Sequence, residues 1–321
     1  MPSQKRPPEL QSIVDELSRA GPFGSIGEMN RSVALRTRDY NAAPQAELGG
    51  LSPDEMSQLL YGDWTSHGAL RLNDALSLNE LAGAAILADA RTLLNFVADQ
   101  GPLKETTARN LSRATVAALL PRLRMPAQRR LAVDIGEPPP LNEGDVLWLP
   151  ALRHTMMFAG LLMRRKGLRM TPRGRELLSP HRSGELFALL FRTVFRTLNL
   201  GVFDRDARHR GLQPTVAYSF YKLRTVARDW STSEALADSA WLESAKDPPT
   251  EWESQHADFR HYTFRHRVLE PLVQFGLLED RMLPTEDRWK DPVEFRATPL
   301  FDRMMRFEFR RHAGRDPFLM R

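Results

Sequence analysis

The chain contains no cysteine. That absence excludes disulfides, thiolate nucleophiles, zinc knuckles and cysteine-ligated iron–sulfur clusters, so any metal would have to rest on histidines and carboxylates. Long apolar runs are missing too: none approaches the roughly 18 residues that a membrane-spanning helix needs. The opening MPSQKRPPEL lacks the apolar core of a secretion signal, and the expectation is a soluble, cytoplasmic protein. Nor does the chain contain the phosphate-cradling GxxxxGK followed by Ser or Thr, the dinucleotide GxGxxG, HExxH or GxSxG. No cofactor, metal or catalytic residue is implied.

What is present is a chain of 321 residues, 42% of them hydrophobic, enough to bury one large core or two ordinary ones. Its formal charge is +5, carried mostly by arginine. A basic balance permits a polyanionic partner, but only the distribution of charge makes a binding face.

The first 50 residues, rich in Pro, Gly, Ser and charge, read as a flexible arm with one short helix at residues 9–19. Helix signals begin at LSPDEMSQLLY, where Ser52 can cap, Pro53 suits the first helical position, and Asp54 and Glu55 complement the dipole. Ser77 and Glu80 have capping-box spacing, residues 88–100 carry an apolar stripe ended by Gly101, and Leu103 to Thr106 reads as a short extended piece. A helix over residues 112–123, a proline-rich loop, a buried helix over residues 145–158, a basic hairpin and a helix opened by Thr171-Pro172 follow. This order predicts a winged helix-turn-helix over residues 51–182, the hairpin being the wing.

A weaker copy is predicted over residues 183–321. FAGLL before Thr171-Pro172 is echoed by FGLL before Thr298-Pro299, and Ser231 and Glu234 repeat the capping-box spacing. The fold class expected is therefore mostly α with small β-hairpins, in tandem winged-helix-like modules. Trp148, Phe158, Phe187, Phe191, Phe195, Phe220, Phe264 and Phe275 sit at helical spacings and read as core.

The functional signal lies in FAGLLMRRKGLRMTPRGRELL. Arg153, His154, Arg164, Arg165, Lys166, Arg169, Arg173 and Arg175 accumulate there, with Glu176 the only acid nearby in sequence. Cations at a hairpin tip can neutralise phosphates, which predicts duplex DNA as partner through phosphate-led contact. The helix over residues 145–158 offers few base-reading side chains, which disfavours a base code. In the second copy the hairpin is acidic, with Glu279, Asp280, Glu286, Asp287, Asp291 and Glu294 against Arg281, Arg288 and Lys290. A homodimer or protein-partner role is expected for it.

Two alternatives stand beside DNA binding. One is a protein-interaction adaptor; the other is a metal-dependent nucleic-acid enzyme using Asp204 and Asp206 of FDRDARHR. His256, His261 and His266 are spaced five apart, so they do not share a helix face as metal ligands would.

The run Leu51-Ser52-Pro53-Asp54-Glu55 with Leu59-Leu60-Tyr61, Leu103-Lys104 with Asn110-Leu111, and Ala159-Gly160-Leu161-Leu162 with Lys166-Gly167 and Thr171-Pro172-Arg173-Gly174-Arg175 resembles a family of uncharacterised bacterial proteins. These are carried on plasmids or as passengers of insertion elements, and the resemblance spans residues 50–200. It implies a mobile-element context and no catalytic residue.

Overall fold

The computed structural model describes residues 23–65, 68–124, 141–146, 148–251, 260–284 and 293–310. The chain is mostly helical with a few small antiparallel strand pairs, as its patterning predicts. The expected helix at residues 9–19, the proline-rich loop and the tip of the second hairpin lie outside the described residues.

Two compact units form, one of residues 1–59 with 309–321, the other of residues 60–308. In the first unit, α1 (Ile26–Ala42) stands where an arm was expected. Ser25 caps it by accepting from the Glu28 N–H, and none of its side chains is buried, so no apolar stripe announced it. α2 (Pro53–Tyr61) starts as predicted: the Ser52 hydroxyl accepts from the Glu55 N–H and the Glu55 carboxylate from the Ser52 N–H.

In the second unit, β1 (Leu70–Leu72) precedes α3 (Ala85–Gln100), α4 (Arg113–Leu119) and α5 (Trp148–Phe158). A hairpin of β2 (Leu162–Arg164) and β3 (Leu168–Met170) and the short α6 (Pro172–Leu177) complete the first assembly. α7 (Ser183–Arg192) leads into a π-helical turn, Thr193–Thr197. The second assembly is α8 (Leu212–Val226), β4 (Ser231–Thr232), α9 (Ser233–Ala240), a helix running from Arg260 to Gln274 through a π turn at Arg265–Leu269, then β5 (Leu278–Met282) and β6 (Val293–Ala297). After α10 (Pro299–Met304), β7 (Met305–Phe307) returns to pair antiparallel with β1.

The two assemblies share one connectivity. In the first, Leu103 bridges to Leu168 on the second strand of the hairpin; in the second, β4 pairs with β6, again the second strand, giving the order β4-β6-β5. The local geometry repeats as well. Gly160 and Gly276 both take positive φ and end their helices with the same two bonds, Leu161 N–H to Met156 O with Gly160 N–H to Met157 O, and Leu277 N–H to Leu272 O with Gly276 N–H to Val273 O. The Thr171 hydroxyl then donates to Gly160 O at 2.7 Å, and the Thr298 hydroxyl to Gly276 O at 2.7 Å.

The expected boundary between residues 182 and 183 does not divide the core. Phe187, Phe191 and Phe195, on α7 and its π turn, are fully buried, and their rings meet Phe220 of α8 and Phe275 beyond the long helix at centroid distances of 4.9–6.0 Å. α7 also packs on α3, so both assemblies share one apolar centre. Burying a phenylalanine contributes about 2–3 kcal/mol, which is why this cluster outweighs a sequence boundary drawn from repeats. Three finer expectations are corrected. Ser77 and Glu80 bond each other but close a turn before α3 begins at Ala85. α9 is capped by Thr232 rather than Ser231, because Thr232 accepts from the Ala235 N–H. Phe158 is 60% exposed rather than core, since it ends α5 beside the turning Gly160.

Candidate nucleic-acid interface

The basic hairpin forms in the predicted place. Leu162 faces Met170 and Arg164 faces Leu168, leaving Arg165, Lys166 and Gly167 as the turn, closed by Arg165 N–H to Gly167 O. Gly167 is required: its φ is +108°, and a Cβ there would lie 2.9 Å from Leu103 O, the bridge that seats the hairpin on the preceding strand. Thr171 caps α6 by accepting from the Gly174 N–H. Strand alternation turns Leu168 inward and Arg169 outward.

The eight expected contact residues do not share one fate. Arg153 is withdrawn: it is 1% exposed, its Nε donates to Glu143 at 2.6 Å, and Glu143 is itself 0% exposed. Glu143 also accepts from the Leu111 N–H, so this pair ties α5 to the start of α4 instead of meeting solvent. Arg164 is spent on Glu105 at 2.9 Å, and the same carboxylate lies 3.6 Å from Arg153. His154 is half-buried; burial first, and the Arg153 cation second, hold its imidazole below the ordinary histidine pKa, so it is neutral at pH 7 and adds no charge.

Arg165, Lys166, Arg169, Arg173 and Arg175 remain. All five are exposed, and none of their side chains meets a carboxylate or other hydrogen-bond partner among the described residues. They follow one another along the hairpin tip, β3 and α6. Glu105 lies 59 residues from Arg164, and the one signal for it was the extended character of Leu103 to Thr106, which the bridge to β3 carries to the hairpin's base; Glu143 lies only ten residues before Arg153, just outside the basic stretch.

The helix expected to read bases is mostly buried. On α5, only Pro150, His154, Met157 and Phe158 reach the surface at all, and none is a strong base-edge ligand at neutral pH apart from His154. The second assembly's helix is likewise engaged. Arg267, 3% exposed, donates to Asp204 at 2.7 and 2.9 Å and to the carbonyls of Asp206 and Arg208, while Arg265 meets Glu270.

The carboxylates expected as a site in FDRDARHR are engaged by arginines as well. Asp204 is held by Arg267, and Asp206 accepts from Arg208 through both carboxylate oxygens, which depresses its pKa. His266 meets Glu270 and His261 lies 3.5 Å from Glu234; His256 lies outside the described residues. Among the described residues no three His, Asp or Glu side chains gather as a metal would require.

The described strands of the second hairpin pair opposite charges across the ladder. Glu279 stands opposite Arg296 and Arg281 opposite Glu294 in register, each pair ion-bonded, and both guanidiniums lie over the Trp230 ring at 4.7 and 4.3 Å. Comparison of the chain with known protein families, with curated proteins and with solved structures gives no match.

Proposed function

We propose that the protein binds duplex DNA through its phosphate backbone, using the basic hairpin and the helix after it, in a tandem winged-helix arrangement. The observation that carries this reading is the run of five exposed cations along the hairpin tip, β3 and α6, whose side chains meet no carboxylate among the described residues, while Arg153 and Arg164 of the same basic stretch are held by Glu143 and Glu105. The pairing in both assemblies, an isolated bridge at Leu103 in the first and β4 in the second, each to the far strand of its hairpin, supports the winged-helix assignment. A buried α5 points away from groove reading and toward sequence-independent contact. The second hairpin, whose described cations Arg281 and Arg296 are both held by glutamates, is suited to self- or partner association instead.

The test is a salt titration with duplexes of unrelated sequence. Five phosphate contacts give a slope of about −4.5 in log affinity against log salt, a loss of a few hundred-fold between 50 and 200 mM. Arg165→Ala, Lys166→Ala and Arg169→Ala together are expected to bring the slope to about −2. Binding undiminished in that variant removes the hairpin as the contact, and negligible affinity of the unaltered protein at moderate salt leaves the adaptor reading.

A further inference from the structure

A cleft of about 140 Å³ opens between α6, α7 and the loop at Asp74. Its charged walls are Arg173, Arg182, Arg192, Asp74, Glu176 and Glu185. By count these charges cancel, but their pairing is uneven. Arg182 bonds both glutamates, reaching Glu185 through Nε at 2.9 Å and through Nη2, and Glu176 through Nη1. These bonds hold the Glu185 carboxyl below its usual range and the Arg182 guanidinium above its own.

Arg192 and Arg173 are therefore left over, with Asp74 the one acid of the cleft that Arg182 does not hold. Arg192 is half-buried on the last turn of α7, and its side chain has no hydrogen bond or ion pair among the described residues; that of Arg173 at the rim has none either. Asp74 and Asp63 act on Arg192 only through space, opposed by Arg173 and Arg196, and burial lowers its pKa. A guanidinium stays charged at any physiological pH, so Arg192 has lost water without gaining an acceptor. Two forks with unfilled donors facing one small cleft match a tetrahedral oxyanion.

We propose that Arg173 and Arg192 form a seated phosphate subsite at the inner end of the basic surface. The site needs only a phosphate group; the proposed DNA contact bears on where that group comes from, a duplex backbone or free phosphate.

Inorganic phosphate titrated into the full chain and followed by its phosphorus NMR line width tests this. The line is expected to broaden with the unaltered protein and with Arg165→Ala, Lys166→Ala, and to need about tenfold more protein for the same broadening with Arg192→Gln, since a charged hydrogen bond is at stake. Arg173→Gln, at an exposed position, carries the same expectation should Arg192→Gln fail to fold. No broadening with the unaltered protein, or broadening in both Gln variants as strong as in the unaltered protein, overturns the site. Duplex DNA then separates the sources: a line that sharpens on adding DNA assigns the site to a backbone phosphate, and one that stays broad assigns it to free phosphate. Loss of DNA binding in the Arg165, Lys166 variant with phosphate broadening intact shows the subsite standing independently of the DNA reading.

Discussion

At the scale of single residues, two arginines ten or so positions apart behave oppositely. Arg153 is locked into a buried pair with Glu143, whereas Arg165 stands in solvent at the hairpin tip. Breaking a buried pair leaves an uncompensated buried charge, so Arg153→Met is expected to cost about 3–5 kcal/mol of stability. Arg165→Ala is expected to cost under about 0.5 kcal/mol. Urea unfolding of the two variants checks this, and equal midpoints would return Arg153 to the surface. Sequence proximity placed both in one basic patch; only the acids Glu105 and Glu143, brought in by the strand bridge and the turn before α5, separate them.

Among elements, the repeated glycine–threonine device sets how each hairpin joins its neighbouring helices. Thr171 does two jobs, donating to Gly160 O and capping α6 through the Gly174 N–H, while Thr298 makes the first bond without a side-chain cap. Thr171→Val is therefore expected to cost about 1–2 kcal/mol and Thr298→Val about half as much, from the loss of a cap worth about 1 kcal/mol. Thermal melts of the two variants decide it; a larger loss at Thr298 would contradict the argument. These devices were legible because they are local: Gly160, Gly276, Thr171 and Thr298 act within a few residues. α1 was not legible, for its cap at Ser25 precedes a segment with no side chain in a core.

For the molecule as a whole, stability depends on pH through two half-buried or buried histidines. His209 is 2% exposed, with a left-handed backbone, its ring edge-on to Trp241 and its Nδ1 accepting weakly from the Asp247 N–H. Burial, the largest cause, lowers its pKa against the opposing pull of Asp247, with Arg208 and Arg267 adding to the lowering; His154 is lowered likewise. A base whose folded pKa is depressed binds more protons when unfolded. Stability is thus full above about pH 6.5, the unfolded value, and falls as pH drops from there through the folded values. Unfolding midpoints at pH 7.5 and 5.5 are expected to show this loss, and His209→Gln is expected to reduce the difference between them. A midpoint that rises on acidification would reverse the sign.

The sequence by itself determined the helical class, the absence of thiol chemistry, the glycine-capped helix ends and the two hairpins, because each follows from composition or from interactions within a few residues. Tertiary structure decided which cations are free and how the chain divides. A carboxylate remote in sequence can neutralise an arginine, as Glu105 does Arg164, and a phenylalanine cluster shared by α7, α8 and Phe275 can fuse two repeats into one core. Pairing and burial act over ångströms in space, and no spacing along the chain encodes that distance.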